Sequence, residues 1–234
     1  PLDEPHFLQF LLSIAGAAAL LIWAVRLVRT GVERGFAAPL RIWLRHSAKN
    51  WLLAAATGMG AAVFLQSSTA VAVLVSNFVA KGGLAAAVGL AILLGADVGS
   101  ALVTQLLMVR QAFLTPLLLL VGVAIFLRGE GNARQVGRIL IGLALIFVSL
   151  DMIRAATGPL VGNPSTQMVM AYLGRDLATA FVIGGAFAWV VHSSVAAVLL
   201  FVTLAAQAVL PTTAAAAMIL GANLGGALIA FVLT

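Results

Sequence analysis

The chain has 234 residues, 63% hydrophobic and only 9% charged, with a formal net charge of +6. A soluble domain carries about 25% charged residues, so a water-facing surface is excluded; having no cysteine, the chain also excludes disulfide scaffolds, thiol catalysis and thiolate metal sites. The positive residues sit between apolar runs, as in loops held at a cytoplasmic face, and no basic patch with interleaved aromatics exists to bind nucleic acid.

The mean hydropathy of +1.15 and the spacing of the runs predict an all-α integral membrane protein in the cell (inner or plasma) membrane. Because it begins at Pro1 and stops at Thr234 in an apolar run, the chain reads as a piece of a longer protein. Phe7 to Val28 is a spanning helix of about 33 Å. Asp3 and Glu4 precede it, where a secretory signal would be positive. Arg26, Arg29, Arg34, Arg41, Arg45 and Lys49, against Glu33, make the next segment cytoplasmic. Trp51 to Ala80 is apolar except for Gln66-Ser67-Ser68-Thr69. Neither arm is long enough to span, which predicts a re-entrant hairpin returning at Lys81-Gly82-Gly83. Leu84 to Val109 is a span with a break at Gly95 to Ser100, followed by Arg110 at the interface. Ala112 to Leu127 crosses back to a cytoplasmic loop carrying Arg128, Arg134 and Arg138. Ile139 to Ala156 spans outward, with Asp151 and Arg154 paired locally near its end. Residues 158–176 read as a loop with Pro159, Pro164 and Tyr172. Leu177 to Leu210 is a second hairpin broken at His192-Ser193-Ser194, and Thr212 to Thr234 a last span broken at Gly221 to Gly225.

The two interrupted regions repeat at a constant offset of 126. Ser67 and Ser68 fall on Ser193 and Ser194, Gly58 on Gly184, and Leu94 to Gly99 on Leu220 to Gly225; 16 of the 53 pairs between 52–104 and 178–230 are identical. The connecting helix leaves the second unit upside-down, as the loop charges require. Fold and organisation follow: a first repeat over 1–110 with its hairpin at about 51–81, a connecting helix and cytoplasmic loop over 111–138, and an inverted second repeat over 139–234 with its hairpin at about 177–210. Each repeat is read as a spanning helix, a re-entrant hairpin and a broken span. Inverted repeats with paired broken segments are the architecture of many secondary transporters, which bind substrate near the midplane.

A helix that begins in mid-membrane aims unpaired N–H groups and a favourable dipole at an anion. Hydroxyls can replace water around an oxyanion or a small cation. The candidate substrate and ion ligands are therefore Gln66, Ser67, Ser68, Thr69, His192, Ser193 and Ser194, joined by Asp97 and Asn223 at the second pair of breaks. Asp97 is the only acid deep in a span, a costly position unless paired or on an ion path. Helix capping competes for both Asp97 and Asn223. Gly95, Gly99, Gly221 and Gly225 are read as hinges or close-approach points. No catalytic residue is assigned. HExxH, P-loop and GxSxG patterns are absent, and His6, His46 and His192 are too scattered for a metal site.

These residues resemble the sodium-dependent phosphate cotransporter family, the type II group and its bacterial relatives. Members carry Gln-Ser-Ser-Ser in each of two inverted repeats, each followed by a Leu-Gly-Ala-Asn-Ile-Gly-Thr type segment. Gln66-Ser67-Ser68-Thr69 and Leu94 to Ser100 are similar to the first copy, His192-Ser193-Ser194 and Leu220 to Gly226 to the second. The resemblance implies inorganic phosphate on the serine hydroxyls and helix-start N–H groups. It implies sodium as coupling ion, taking oxygens at Gln66, Ser68, Ser194 and Asn223, with no other cofactor. It also implies a soluble domain similar to phosphate-uptake regulators in the full-length chain; a homo-oligomer is left open. The chain departs from the family at His192, in place of the second Gln, and at Asp97, in place of Asn. Two titratable groups there raise proton coupling, or export, as the alternative to sodium-driven uptake. A passive channel and a structural membrane subunit are the remaining readings.

Overall fold

The computed structural model describes residues 4–46, 50–108, 113–160 and 163–233. Asp3, Lys49, Val109 and Arg110, expected at loops and helix ends, lie outside the described residues. Among the described residues ten α-helices follow one another: α1 (Glu4–His46), α2 (Trp51–Leu65), α3 (Ser68–Ala80), α4 (Ala86–Leu107), α5 (Leu114–Arg128), α6 (Gly131–Thr157), α7 (Pro164–Arg175), α8 (Leu177–Val191), α9 (Ser194–Ala206) and α10 (Thr212–Leu233). A short 3-10 turn over Gly158–Leu160 separates α6 from α7. Among the described residues, four helical stretches are long and apolar enough to cross a bilayer: Leu8–Phe36, Ala86–Leu107, Gly131–Leu160 and Thr212–Val232. An all-α, multi-pass membrane protein is therefore the observed class.

The chain divides into two compact units. One comprises Pro1–Ala24 and Leu145–Gly225, the other Val25–Ala144 and Gly226–Thr234. In the second of these, α4 packs along α2 and α3. Its core joins Val32 of α1, Ala54, Ala61, Ala62 and Leu65 of α2, Ala70, Val71 and Val75 of α3, Leu84, and Ile92 and Ala96 of α4. The α2–α4 contact is made of small residues, which let two helix backbones approach where lipid offers no hydrophobic drive for association. A methyl group added at Gly58 would collide with the Ile92 carbonyl oxygen, at Gly95 with that of Ala55, and at Gly99 with that of Met59. In the other unit the same scheme recurs between α8 and α10. Methyls at Gly184, Gly221 and Gly225 would strike the carbonyl oxygens of Met218, Phe181 and Gly185.

The offset of 126 is reproduced residue for residue. Adding it to the bounds of α2, α3 and α4 gives those of α8, α9 and α10, and it carries each glycine–carbonyl pair of one unit onto a pair of the other.

Several expectations need correction. The breaks foreseen at Gly95 to Ser100 and at Gly221 to Gly225 do not exist, since α4 and α10 run through both without interruption. Glycine weakens a helix by only about 1 kcal/mol, and here each glycine is repaid by close packing, so Gly95, Gly99, Gly221 and Gly225 are close-approach points and not breaks. Asp97 and Asn223 consequently stand in helix interiors and cap nothing. α1 does not stop at Val28 but continues to His46, its polar second half supported by the Arg29–Glu33 pair at 2.8 Å. Arg134 and Arg138 are not in a loop. They lie on α6, with their guanidinium groups 4.8 Å and 5.8 Å from the centre of the Phe126 ring, an arrangement that lets a cation remain near apolar surface. The supposed loop 158–176 contains α7, begun by an Asn163 cap with Pro164 in the first turn. The Asp151–Arg154 pair is present at 2.9 Å.

Candidate functional site

Each unit carries one helix–break–helix element, and the break has the same construction twice. α2 ends on Gln66 in the left-handed region (φ 47°), and Ser67 returns to extended backbone as the N-cap of α3. α8 ends on His192 (φ 56°), and Ser193 caps α9. A non-glycine residue at positive φ is uncommon and costs local strain. Here it turns the chain within two residues, bringing the C-terminus of one helix to the N-terminus of the next.

The serine caps fix the hydroxyls. Ser67 Oγ accepts from the Ala70 N–H at 3.1 Å, and Ser193 Oγ from the Ala196 N–H at 3.2 Å. Each hydroxyl is used as an acceptor, so its own proton is left to donate. The first-turn N–H groups of Ser68 and Thr69, and of Ser194 and Val195, lie ahead of the helical ladder. Each break thus gathers one hydroxyl and two backbone donors at the positive end of a helix dipole, which favours an anion.

The two copies differ in what surrounds this cradle. Gln66 is 6% exposed, and its Oε1 is a buried acceptor without a hydrogen-bond partner. Such an atom is costly unless a donor or cation reaches it. His192 is exposed, and its Nδ1 lies 3.1 Å from the Val190 carbonyl oxygen. A carbonyl only accepts, so Nδ1 carries the proton and Nε2 is turned to the surroundings. Ser68 stands beside the Asp97 carboxyl, which sets the α3 N-terminus next to the middle of α4. The sequence names both residues but not their contact; the signal lay in the constant spacing between the two segments of each repeat. Ser194 is buried, and Asn223 sits exposed on α10 at the position matching Asp97. Gln66, Ser67, Ser68, Thr69 and Asp97 are thus gathered around one break in one unit, and His192, Ser193 and Ser194 around its counterpart in the other. Asp176, between α7 and α8, is a further acid that the sequence left in a loop. It caps α8, accepting from the Thr179 hydroxyl at 2.6 Å and N–H at 3.1 Å, and these donors hold its carboxyl below the usual carboxylate range.

A model of the Na+/Pi-cotransporter family matches residues 20–155, more than half of the chain. A protein of Escherichia coli (strain K12) named "Putative inorganic phosphate export protein YjbB" is 42% identical over 221 residues, covering 94% of this chain and 41% of the relative. Its Salmonella typhimurium counterpart, of the same name, matches over the same shares. The YqeW protein of Bacillus subtilis is 28% identical over 161 residues, or 69% of this chain and 52% of the relative. The chain spans about two fifths of the length of the phosphate-export relatives it matches. No solved structure matches. The family and the phosphate-export relatives bear the names of transporters and not of enzymes, and the chain belongs to the Na+/Pi-cotransporter family.

Proposed function

We propose that the chain is the membrane part of a secondary transporter of inorganic phosphate, coupled to sodium, in which the two capped breaks hold the ligands. The observation that carries this reading is the repetition of one donor cradle. A left-handed residue, a capping serine and a free helix N-terminus occur twice at one offset, in a chain of the Na+/Pi-cotransporter family. At each break phosphate would take the capping serine hydroxyl, Ser67 or Ser193, and the first-turn N–H groups behind it. No lysine or arginine belongs to either cradle, which suits a ligand that must leave again. Sodium would take oxygens, with the buried Gln66 Oε1 as the first candidate and Ser68, Ser194 and Asn223 as others. The repeat at an offset of 126 supports alternating access between two inverted repeats, with the α2–α3 and α8–α9 elements as re-entrant hairpins.

A second reading rests on two specific observations. The 42% identical relatives carry phosphate export in their name, and Asp97 and His192 are titratable where neutral amides would serve sodium. Export or proton coupling is the outcome these favour.

The test is radiolabelled phosphate flux in proteoliposomes holding the full-length protein, with and without a sodium gradient. Sodium-driven uptake abolished by Ser67→Ala/Ser193→Ala supports the leading reading. Sodium-independent flux whose pH profile flattens in Asp97→Asn or His192→Gln supports the second. Flux unaffected by the double serine variant refutes both cradles.

A further inference from the structure

α7 is a helix that its own unit holds by one side only. None of its residues is buried. It touches α8 and overhangs a cavity of about 340 Å³ lined by Thr166 and Met170 of α7 together with Leu160, Val209 and Pro211. A helix of 12 residues is marginal on its own in water, so something beyond these contacts must stabilise it.

Its side chains sort into three stripes at 100° per residue. Thr166, Met170, Leu173 and Gly174 are half-buried and face the protein. Met168 (76% exposed), Val169 and Tyr172 (63% exposed) form an apolar stripe with no protein over it. Gln167 and Ala171, also exposed, occupy the third, and Arg175 stands at its edge, one step round the helix from Met168. Chain position fixes the depth of this helix. The membrane-crossing stretch Gly131–Leu160 ends three residues before Pro164, and α7 then turns through 97° into the apolar α8. A segment that starts where a span ends, and meets the next apolar helix at a right angle, runs along the bilayer surface. The next helix, α8, likewise exposes large apolar side chains, Leu177 and Val182. A tyrosine in the stripe and an arginine beside it are the residue types that settle at the headgroup boundary.

We propose that α7 is an interfacial helix, lying flat in the headgroup layer of the bilayer. Met168, Val169 and Tyr172 reach the acyl boundary, Gln167 and Ala171 face water, and Arg175, at the edge of the apolar stripe, extends its guanidinium to the lipid phosphates. It anchors the start of the α8–α9 element at a fixed depth.

The absence of cysteine from the chain makes a direct test available. Single cysteines at Met168→Cys, Val169→Cys, Tyr172→Cys, Gln167→Cys and Ala171→Cys are nitroxide-labelled and reconstituted in phosphatidylcholine–phosphatidylglycerol vesicles. Collision with oxygen and with a nickel chelate is then measured by electron paramagnetic resonance. The expected result is an oxygen-to-nickel ratio above one at 168, 169 and 172, and below one at 167 and 171. Nickel dominance at all five positions places the helix in water and overturns the proposal. Protection of 168, 169 and 172 from both reagents means protein covers the stripe, and overturns it equally. All five sites are exposed, so circular dichroism of the labelled variants is expected to match wild type.

Discussion

Replacing Gly95 by alanine sets two effects of opposite sign against each other. Intrinsic helix propensity favours alanine by about 1 kcal/mol in the interior of α4. Packing opposes it, because the new methyl meets the backbone oxygen, carbonyl carbon and Cα of Ala55 on α2. A backbone carbonyl cannot rotate away as a side-chain tip can, so the α2–α4 contact must open. Overpacking of this kind costs about 1–3 kcal/mol and more where relaxation is blocked, and parting the helices also loosens the contacts of Ile92 and Ala96, both fully buried. The net expectation, the propensity gain included, is a destabilisation of up to about 2 kcal/mol. Gly60 is the control. It lies in the same α2, and a methyl there meets nothing within 4 Å, so Gly60→Ala is expected to be neutral or to stabilise by up to about 1 kcal/mol. Gly221→Ala, which meets Phe181, should repeat the Gly95 result in the other unit. The assay is unfolding in mixed micelles, followed by tryptophan fluorescence. A Gly95→Ala protein as stable as Gly60→Ala would refute the close approach. Unchanged stability with altered transport would reinstate a hinge.

Further outcomes follow from the same geometry. Gln66→Gly places the residue best suited to positive φ at the turn, so stability should hold or rise by up to about 1 kcal/mol while phosphate flux falls; retained flux would reduce Gln66 to a turn former. Ser67→Ala should cost about 1 kcal/mol through the lost cap. Ser67→Asp keeps a cap acceptor but sets a carboxylate in the proposed anion site, so it should retain stability and lose phosphate transport, and transport-competent Ser67→Asp would exclude this cradle. Asp176 has a lowered folded-state pKa owing to its Thr179 donors. Its contribution is therefore complete above the ordinary carboxylate pKa of about 3.9 and is lost as pH falls through the lower folded value. Amide protection factors at residues 177–180, taken relative to the intrinsic exchange rate at each pH, should fall on acidification in wild type, and Asp176→Asn should remove that dependence.

The sequence by itself determined what composition and periodicity encode. A chain this apolar and this poor in charge has to satisfy its backbone inside each helix within lipid, which made the class legible. The 126-residue offset located both breaks, because a Ser-Ser pair inside an apolar run is a helix start wherever the chain turns. Gln66, Ser67, His192 and Ser193 could thus be named before any contact was known. The tertiary structure decided the role of the glycines. Gly95-Ala-Asp97-Val-Gly99 reads equally as a break or as a packing face, and only the position of the Ala55 and Met59 carbonyls on α2 selects the face. It also decided that Ser68 lies beside Asp97 and that Gln66 is buried while His192 is exposed, since burial and proximity belong to neighbours distant in the chain. The fate of residues 158–176 lay between the two. The Asn163-Pro164 start of α7 was written in the sequence, but twelve residues with a mixed surface become a helix only where an environment covers their apolar side, and local propensity alone cannot supply that.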